Sequence, residues 1–209
     1  MLGYVAYAED TNTTNTSGTP TNNLEQRIQS IKDKRAEFKT EIEAIKEQTA
    51  LKINEVKTNF KESLKNIKDE NKKISAEKIV DIIQGLNTKR TDNLSAKIDK
   101  IENVLVSIES RIAKANSNGL DTSLVKIEVE KAKVAIAQAR DAVSVQSKKV
   151  YSVNVTSEAT LKSEMKNLRD TFSKDMKALN AVVKSAHEAV KNTATTLVKI
   201  PKIDEVISN

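Results

Sequence analysis

The side chains best placed to do chemistry in this sequence are lysines. Lys57, Lys61, Lys65, Lys68 and Lys72 recur at steps of four and three, so on one continuous helix they form a flank beside the apolar stripe from Val56 to Ile67. Such a strip suits an anionic partner: lipid head groups, a cell-wall polymer or an acidic protein. It also suits the solvated edge of a coiled coil, where lysine stems cover the seam. Glu55, Glu62 and Asp69 are interspersed around the same stretch, which favours the solvated edge.

Other reactive groups are sparse. His187, the single histidine, sits beside Ala186 and Val190, with Lys184 and Glu188 around it. A general base needs an oriented partner and a pocket, and no signature supplies either, so an edge-packed or solvated histidine is expected. The carboxylate pairs Glu43/Glu47 and Asp121/Glu128 are expected to face solvent rather than a cleft. Glycine-rich phosphate loops, His-Glu-x-x-His and Gly-x-Ser-x-Gly sequences are absent. So is cysteine, which removes disulfides, thiol nucleophiles and the common zinc and iron–sulfur sites. The expectation is a chain with no catalytic residues, no cofactor and no metal, and so not an enzyme.

The elements that must carry these residues are helices. Charged residues make up 31% of the 209, aromatics only 3%, and there are four Gly and two Pro. That is the composition of long helices with a core one seam wide. Net charge is +6, but basic and acidic residues are mixed along the whole chain, which argues against a specific nucleic-acid partner.

Apolar residues repeat at steps of three and four in four stripes. Helix A, expected over residues 24–74, carries Leu24, Ile28, Ile31, Phe38, Ile42, Ile45, Ile53, Val56, Phe60, Leu64 and Ile67. Arg35, Thr49 and Asn71 stand in its core slots, and Ile74 ends the stripe. Eleven-residue steps from Ile45 to Val56 to Ile67 locally relax a left-handed supercoil. The phase breaks at Ile74, where Ser75 is the expected N-cap of helix B, although one continuous kinked helix is the alternative. Helix B runs through Ile79, Ile83 and Leu86 into a heptad stripe from Leu94 to Ala115. Asn116 to Gly119 is a stop, with Gly119 suited to the left-handed position after a helix.

Helix C carries Val125, Val129, Ala132, Ile136, Ala139 and Val143. Val150 to Thr156 is β-branched and out of phase, hence an extended connector. Helix D carries Leu161, Met165, Leu168, Phe172, Met176, Leu179, Val183, Ala186, Val190, Leu197 and Ile200, and Pro201 stops it. The fold expected is therefore all-α: an elongated antiparallel bundle or coiled coil of three to four long helices. Helices B, C and D form a bundle over 75–201, helix A is either a fourth helix or a projecting arm, and 202–209 is a tail.

The first eight residues are apolar, uncharged and end in Ala6-Tyr7-Ala8, the small-x-small pattern of a signal-peptidase site. They read as the remnant of a signal peptide whose charged region and most of whose apolar region are missing, consistent with a start codon placed too late or a trimmed chain. Cleavage would leave Glu9 as the N-terminus. Residues 9–23, rich in Thr and Asn, read as a flexible leader. No stretch approaches the apolar length of a membrane span.

Two stretches resemble a known group. Ile108 to Lys114 through Gly119-Leu120-Asp121-Thr122-Ser123, and Val150 to Val153 with the helix from Glu158 to Ile200, are similar to uncharacterised exported helical proteins of small-genome bacteria. In those, a Gly-x-Asp-[Thr/Ser]-Ser turn joins two Ala-rich helices. The resemblance spans residues 94–201 and implies export and a bundle, but transfers no activity. Together these features suggest an extracytoplasmic protein, whether periplasmic, secreted or at the cell surface, with a structural or protein-interaction role. Its partner is expected to be another protein or a second copy. The alternatives are a periplasmic holdase-like chaperone using helix A as an arm, and a lipid- or polyanion-binding helical protein using the lysine flank.

Overall fold

A computed structural model describes residues 20–201; the expected signal remnant at 1–8, most of the expected leader at 9–23 and the expected tail at 202–209 lie outside the described residues. Four long helices follow in chain order: α1 (Pro20–Ser63), α2 (Glu70–Ser117), α3 (Ser123–Ser147) and α4 (Glu158–Val198), with a single 3₁₀ turn, Leu64–Asn66, after α1. The fold is an all-α antiparallel helical bundle. At 1.5 Å per residue, α2 with its 48 residues is ~72 Å long.

The seams expected for helices C and D are buried throughout: Val125 to Val143 on α3, and Leu161 to Leu197 on α4, with Thr193 completing the latter. The stop after α2 closes as a Schellman motif. Leu120 N donates to the Ala115 carbonyl, Gly119 N donates to Asn116, and Gly119 adopts φ +75°, where a side chain would be strained.

Two boundaries differ from expectation. The helix starts at Pro20, four residues before Leu24, so the leader's last residues are helical. Proline at the first helical position gives up no hydrogen bond and is already near the helical φ. The break between the first two helices falls after Ser63, not at Ile74, and residue 75 lies inside α2. The N-cap is Asp69, whose carboxylate accepts from Lys72 N at 3.2 Å, rather than Ser75. Ile74 is exposed, and the seam is carried instead by Ala76, Val80 and Ile83. A small alanine in the core slot conceals the true phase from a search for large apolar residues.

α1 packs along α2 and α3, with Phe38, Ile42, Ile45, Phe60, Leu64 and Ile67 buried in the common core. Helix A is thus the fourth helix of the bundle and not a projecting arm. Ion pairs bind it antiparallel to α2: Arg27–Glu109, Arg35–Glu102, Lys46–Asp92 and Lys57–Asp81 descend one helix as they climb the other. Leu64 and Ile67, both nearly inaccessible, plug the end where α1 turns into α2.

α3 is the short helix, 25 residues. The course it abandons is continued by the connector, 148–157, in which Tyr151 and Val155 are buried while Ser152, Asn154 and Thr156 are exposed. Alternation with period two is the mark of extended backbone.

Candidate functional site

The lysine flank does not survive as one helical strip. Lys57 and Lys61 belong to α1, Lys65 to the 3₁₀ turn, Lys68 to the link, and Lys72 to the first turn of α2. Lys57 pairs with Asp81 at 2.8 Å, Lys61 with Glu77 at 3.8 Å and Lys65 with Glu62 at 2.5 Å. Lys72 reaches Glu158 at the start of α4 at 2.5 Å, and Lys68 N donates to the other oxygen of the same carboxylate at 3.2 Å. The hydrogen bond from Lys72, reinforced by the Lys68 amide, holds Glu158 below the ordinary carboxylate range and raises Lys72. Mixed charge thus closes the end of the bundle, tying the α1–α2 turn to α4.

His187 is exposed, with Nδ1 3.8 Å from its neighbour Glu188. Glu43 pairs with Lys46, Glu128 with Lys131, and Asp121 accepts from Ser123 N at 2.9 Å to start α3. The hydrogen bonds from Ser123 lower the Asp121 carboxyl. Each of these groups is engaged by a neighbour a few residues away in its own helix or turn.

The structure gathers instead a set of polar side chains that periodicity passes over. Where α3 ends, its last carbonyls have no i+4 amide of a continuing helix, and side chains of other helices reach them and the connector. Asn87 of α2 donates to the Gln146 and Lys149 carbonyls at 3.3 and 3.2 Å, and Thr49 of α1 donates to the Ser147 carbonyl at 3.3 Å. Gln146 donates to Asn87 Oδ1 at 2.8 Å and to the Tyr151 hydroxyl at 2.7 Å, and that hydroxyl donates to Asp175 of α4 at 2.8 Å. Gln84 holds the Tyr151 backbone from both sides of its amide.

Burial, then the bond to Asp175, pushes the Tyr151 phenol up, so it stays protonated. Burial alone would raise Asp175, but hydrogen bonds from Lys149 and Tyr151 outweigh it and leave its carboxyl lowered. Beside these groups an open cleft of 450 Å³ runs between the connector and α4, lined by Lys149, Tyr151, Glu164, Asn167, Thr171 and Asp175. Tyr151 and Asp175 on its wall are bonded to one another and to Gln146 and Lys149, so the connector is clasped to α3 and α4. The sequence signal for the clasp was present but weak: Asn87 and Thr91 fall in register with Val80, Ile83 and Leu94, so polar residues occupy core slots of α2.

A second buried polar set joins α1, α2 and α3. Arg35, anticipated in a core slot, donates to Glu102 at 2.5 Å, to Asn103 at 2.7 Å and to the Asp99 carbonyl at 3.3 Å. Arg140 donates to Asp99 and Glu102 at 2.9 and 2.8 Å and stands over the Phe38 ring, 4.9 Å from its centroid. Glu109, almost wholly buried, takes Arg27 of α1 and Lys133 of α3. Glu102 and Glu109 each lie where two cations from different helices meet, the condition for burying charge, while the Asp99 carboxylate takes Arg140 alone. Among the described residues no group of three or more His, Asp or Glu could hold a metal ion, and no helix is long and apolar enough to cross a membrane. Compared with protein-family models, curated proteins and solved structures, the chain matches none.

Proposed function

We propose that this chain is a non-catalytic structural or protein-interaction rod of the cell envelope, exported with cleavage after Ala8. One observation carries the mechanical half of the reading. The most unusual side chains in the molecule, Gln84, Asn87, Arg140, Gln146, Tyr151 and Asp175, are spent on tying helices to one another. Interhelical polar bonds fix register along ~72 Å of bundle and suit an element that must hold a length and present surfaces, rather than open and close. The Ala6-Tyr7-Ala8 pattern and the polar run that follows it support export.

The two alternatives have less support. A holdase clamp needs the apolar side of α1 free, and that side is turned onto α2 and α3. A polyanion strip needs unpaired lysines, and Lys57, Lys61, Lys65 and Lys72 have acidic partners.

The test joins fractionation to N-terminal sequencing. Expressed from its native locus, the mature protein should begin at Glu9, fractionate with the envelope, and cross-link there to a defined neighbour through its rod surface. An intact chain recovered from the cytoplasm overturns the proposal.

A further inference from the structure

α3 is apolar on two opposite sides. Its inner side, from Val125 to Val143, is buried. Its outer side carries Leu124, Ile127, Val134 and Val145, exposed at 73%, 54%, 58% and 51%. At 100° per residue these four fall within an arc of about 80°, turned away from the buried seam. A helix apolar all round is ordinarily covered all round. One flank of α3 is covered by α1 and α2, through Ser144–Glu41 and Arg140–Glu102, and another by α4, which meets it where Thr193 donates to the Glu128 carbonyl. The outer arc is left open.

We propose that this arc is covered by the same arc of a second copy, in an antiparallel, two-fold symmetric pair centred on Ile136. The order of residues along the arc carries the choice of occupant. When two copies of α3 run antiparallel about that centre, Ile127 meets Val145 of the second copy, and Val134 meets Gln138 of the second copy. Lys131 meets Asp141 of the second copy. The two-fold axis repeats each match, so Lys131 and Asp141 find their opposites twice and Ile127 and Val145 bury one another at both ends. Leu124 is covered by the stem of Lys148 of the second copy. A parallel pair in register would set Lys131 against Lys131 and Asp141 against Asp141, a like-charge arrangement.

Asp141 has no ion pair among the described residues, whereas Lys131 has only the partly buried Glu128 of its own helix at 2.7 Å. Since half of the arc's central positions are polar, the pair is a reversible one that forms with concentration rather than an obligate dimer. The inference rests on the reading of the chain as an interaction rod and names one of its partners as itself.

Sedimentation equilibrium on the purified full chain, from micromolar to near-millimolar concentration, tests it without any envelope component. The self-association test and the envelope test therefore fail independently. The expected result is a monomer–dimer equilibrium that Val134→Asp abolishes while helix content stays unchanged. Lys131→Asp and Asp141→Lys should each weaken dimerisation about tenfold or more, and the double charge reversal should restore it to near the starting value. A chain that stays monomeric throughout overturns the proposal. So does a dimer indifferent to either reversal, or one that the double reversal fails to restore.

Discussion

Gln84 clasps Tyr151 by its backbone: Nε2 donates to the Tyr151 carbonyl at 2.7 Å and Oε1 accepts from the Tyr151 amide at 3.4 Å, across 67 positions of sequence. In extended chain the N–H and C=O of one residue point the same way, so a side-chain amide can engage both, as a neighbouring strand would. Without Gln84 the connector would bury a peptide unit with nothing to bond. Replacing Gln84 with Leu should therefore cost about 2 kcal/mol, the penalty for orphaned backbone groups. A fall in the urea midpoint with hydrogen exchange accelerated most at Tyr151 to Val155 is the expected result. Uniform acceleration along α3 and α4 would contradict the clasp.

Tyr151 should make the protein sensitive to alkali. Its phenol is raised in the folded chain, by burial first and by Asp175 second, so the native state holds this proton more tightly than the unfolded chain does. The resulting stabilisation is complete below the ordinary tyrosine value of 10.0 and is lost as the pH climbs above it toward the folded-state value. Ultraviolet titration should show one tyrosine ionising late, together with unfolding. Tyr151→Phe should remove that late component.

Asp175 gives the opposite dependence. Its carboxyl is lowered in the folded state, so its contribution is present above the ordinary carboxylate value and disappears as the pH falls below about 4. Asp175→Asn should lower stability at neutral pH and flatten its decline in acid. An acid limb as steep as that of the parent chain would mean that the loss arises elsewhere.

Ile42 and Ile108 lie on different helices but are equally buried, each 5% exposed. A free arm would tolerate Ile42→Asp better than the bundle tolerates Ile108→Asp. With α1 packed as the fourth helix, both substitutions should cost on the order of 3 kcal/mol or more in a dilute monomer. Denaturant unfolding of the two variants measures this directly, and a near-neutral Ile42→Asp would reinstate the arm.

Arg140→Ala should cost about 3 kcal/mol, because it leaves the partly buried Asp99 carboxylate without its ion pair and Glu102 with Arg35 as its remaining cation. Lys166→Ala, which breaks an exposed pair with Asp170, should cost less than about 1 kcal/mol. Comparable losses from the two would show that the inter-helix charge cluster contributes no more than surface pairs do.

Much of this molecule was written in its local sequence. The α3 and α4 seams, the Schellman stop at Gly119 and the extended character of Val150 to Thr156 follow from periodicity and turn chemistry, because each depends on residues a few positions apart. Where the local signal weakened, the expectation slipped. Ala76 in place of a large residue, together with an Asp69 cap overlooked in favour of Ser75, moved the α1–α2 boundary by several residues.

What tertiary structure alone decided was the fate of the polar groups. Whether Gln84 or Asn87 faces water or core depends on a carbonyl that arrives from α3 or the connector some sixty residues later. Arg35 in a core slot reads as a defect of helix A until Glu102 is brought beside it. The lysine flank reads as a strip until the chain turns through it and sets acidic residues opposite. Apolar burial is a property each residue carries with it, and so it can be read along one dimension. Satisfying a buried hydrogen bond or charge takes two groups whose separation only the completed fold fixes.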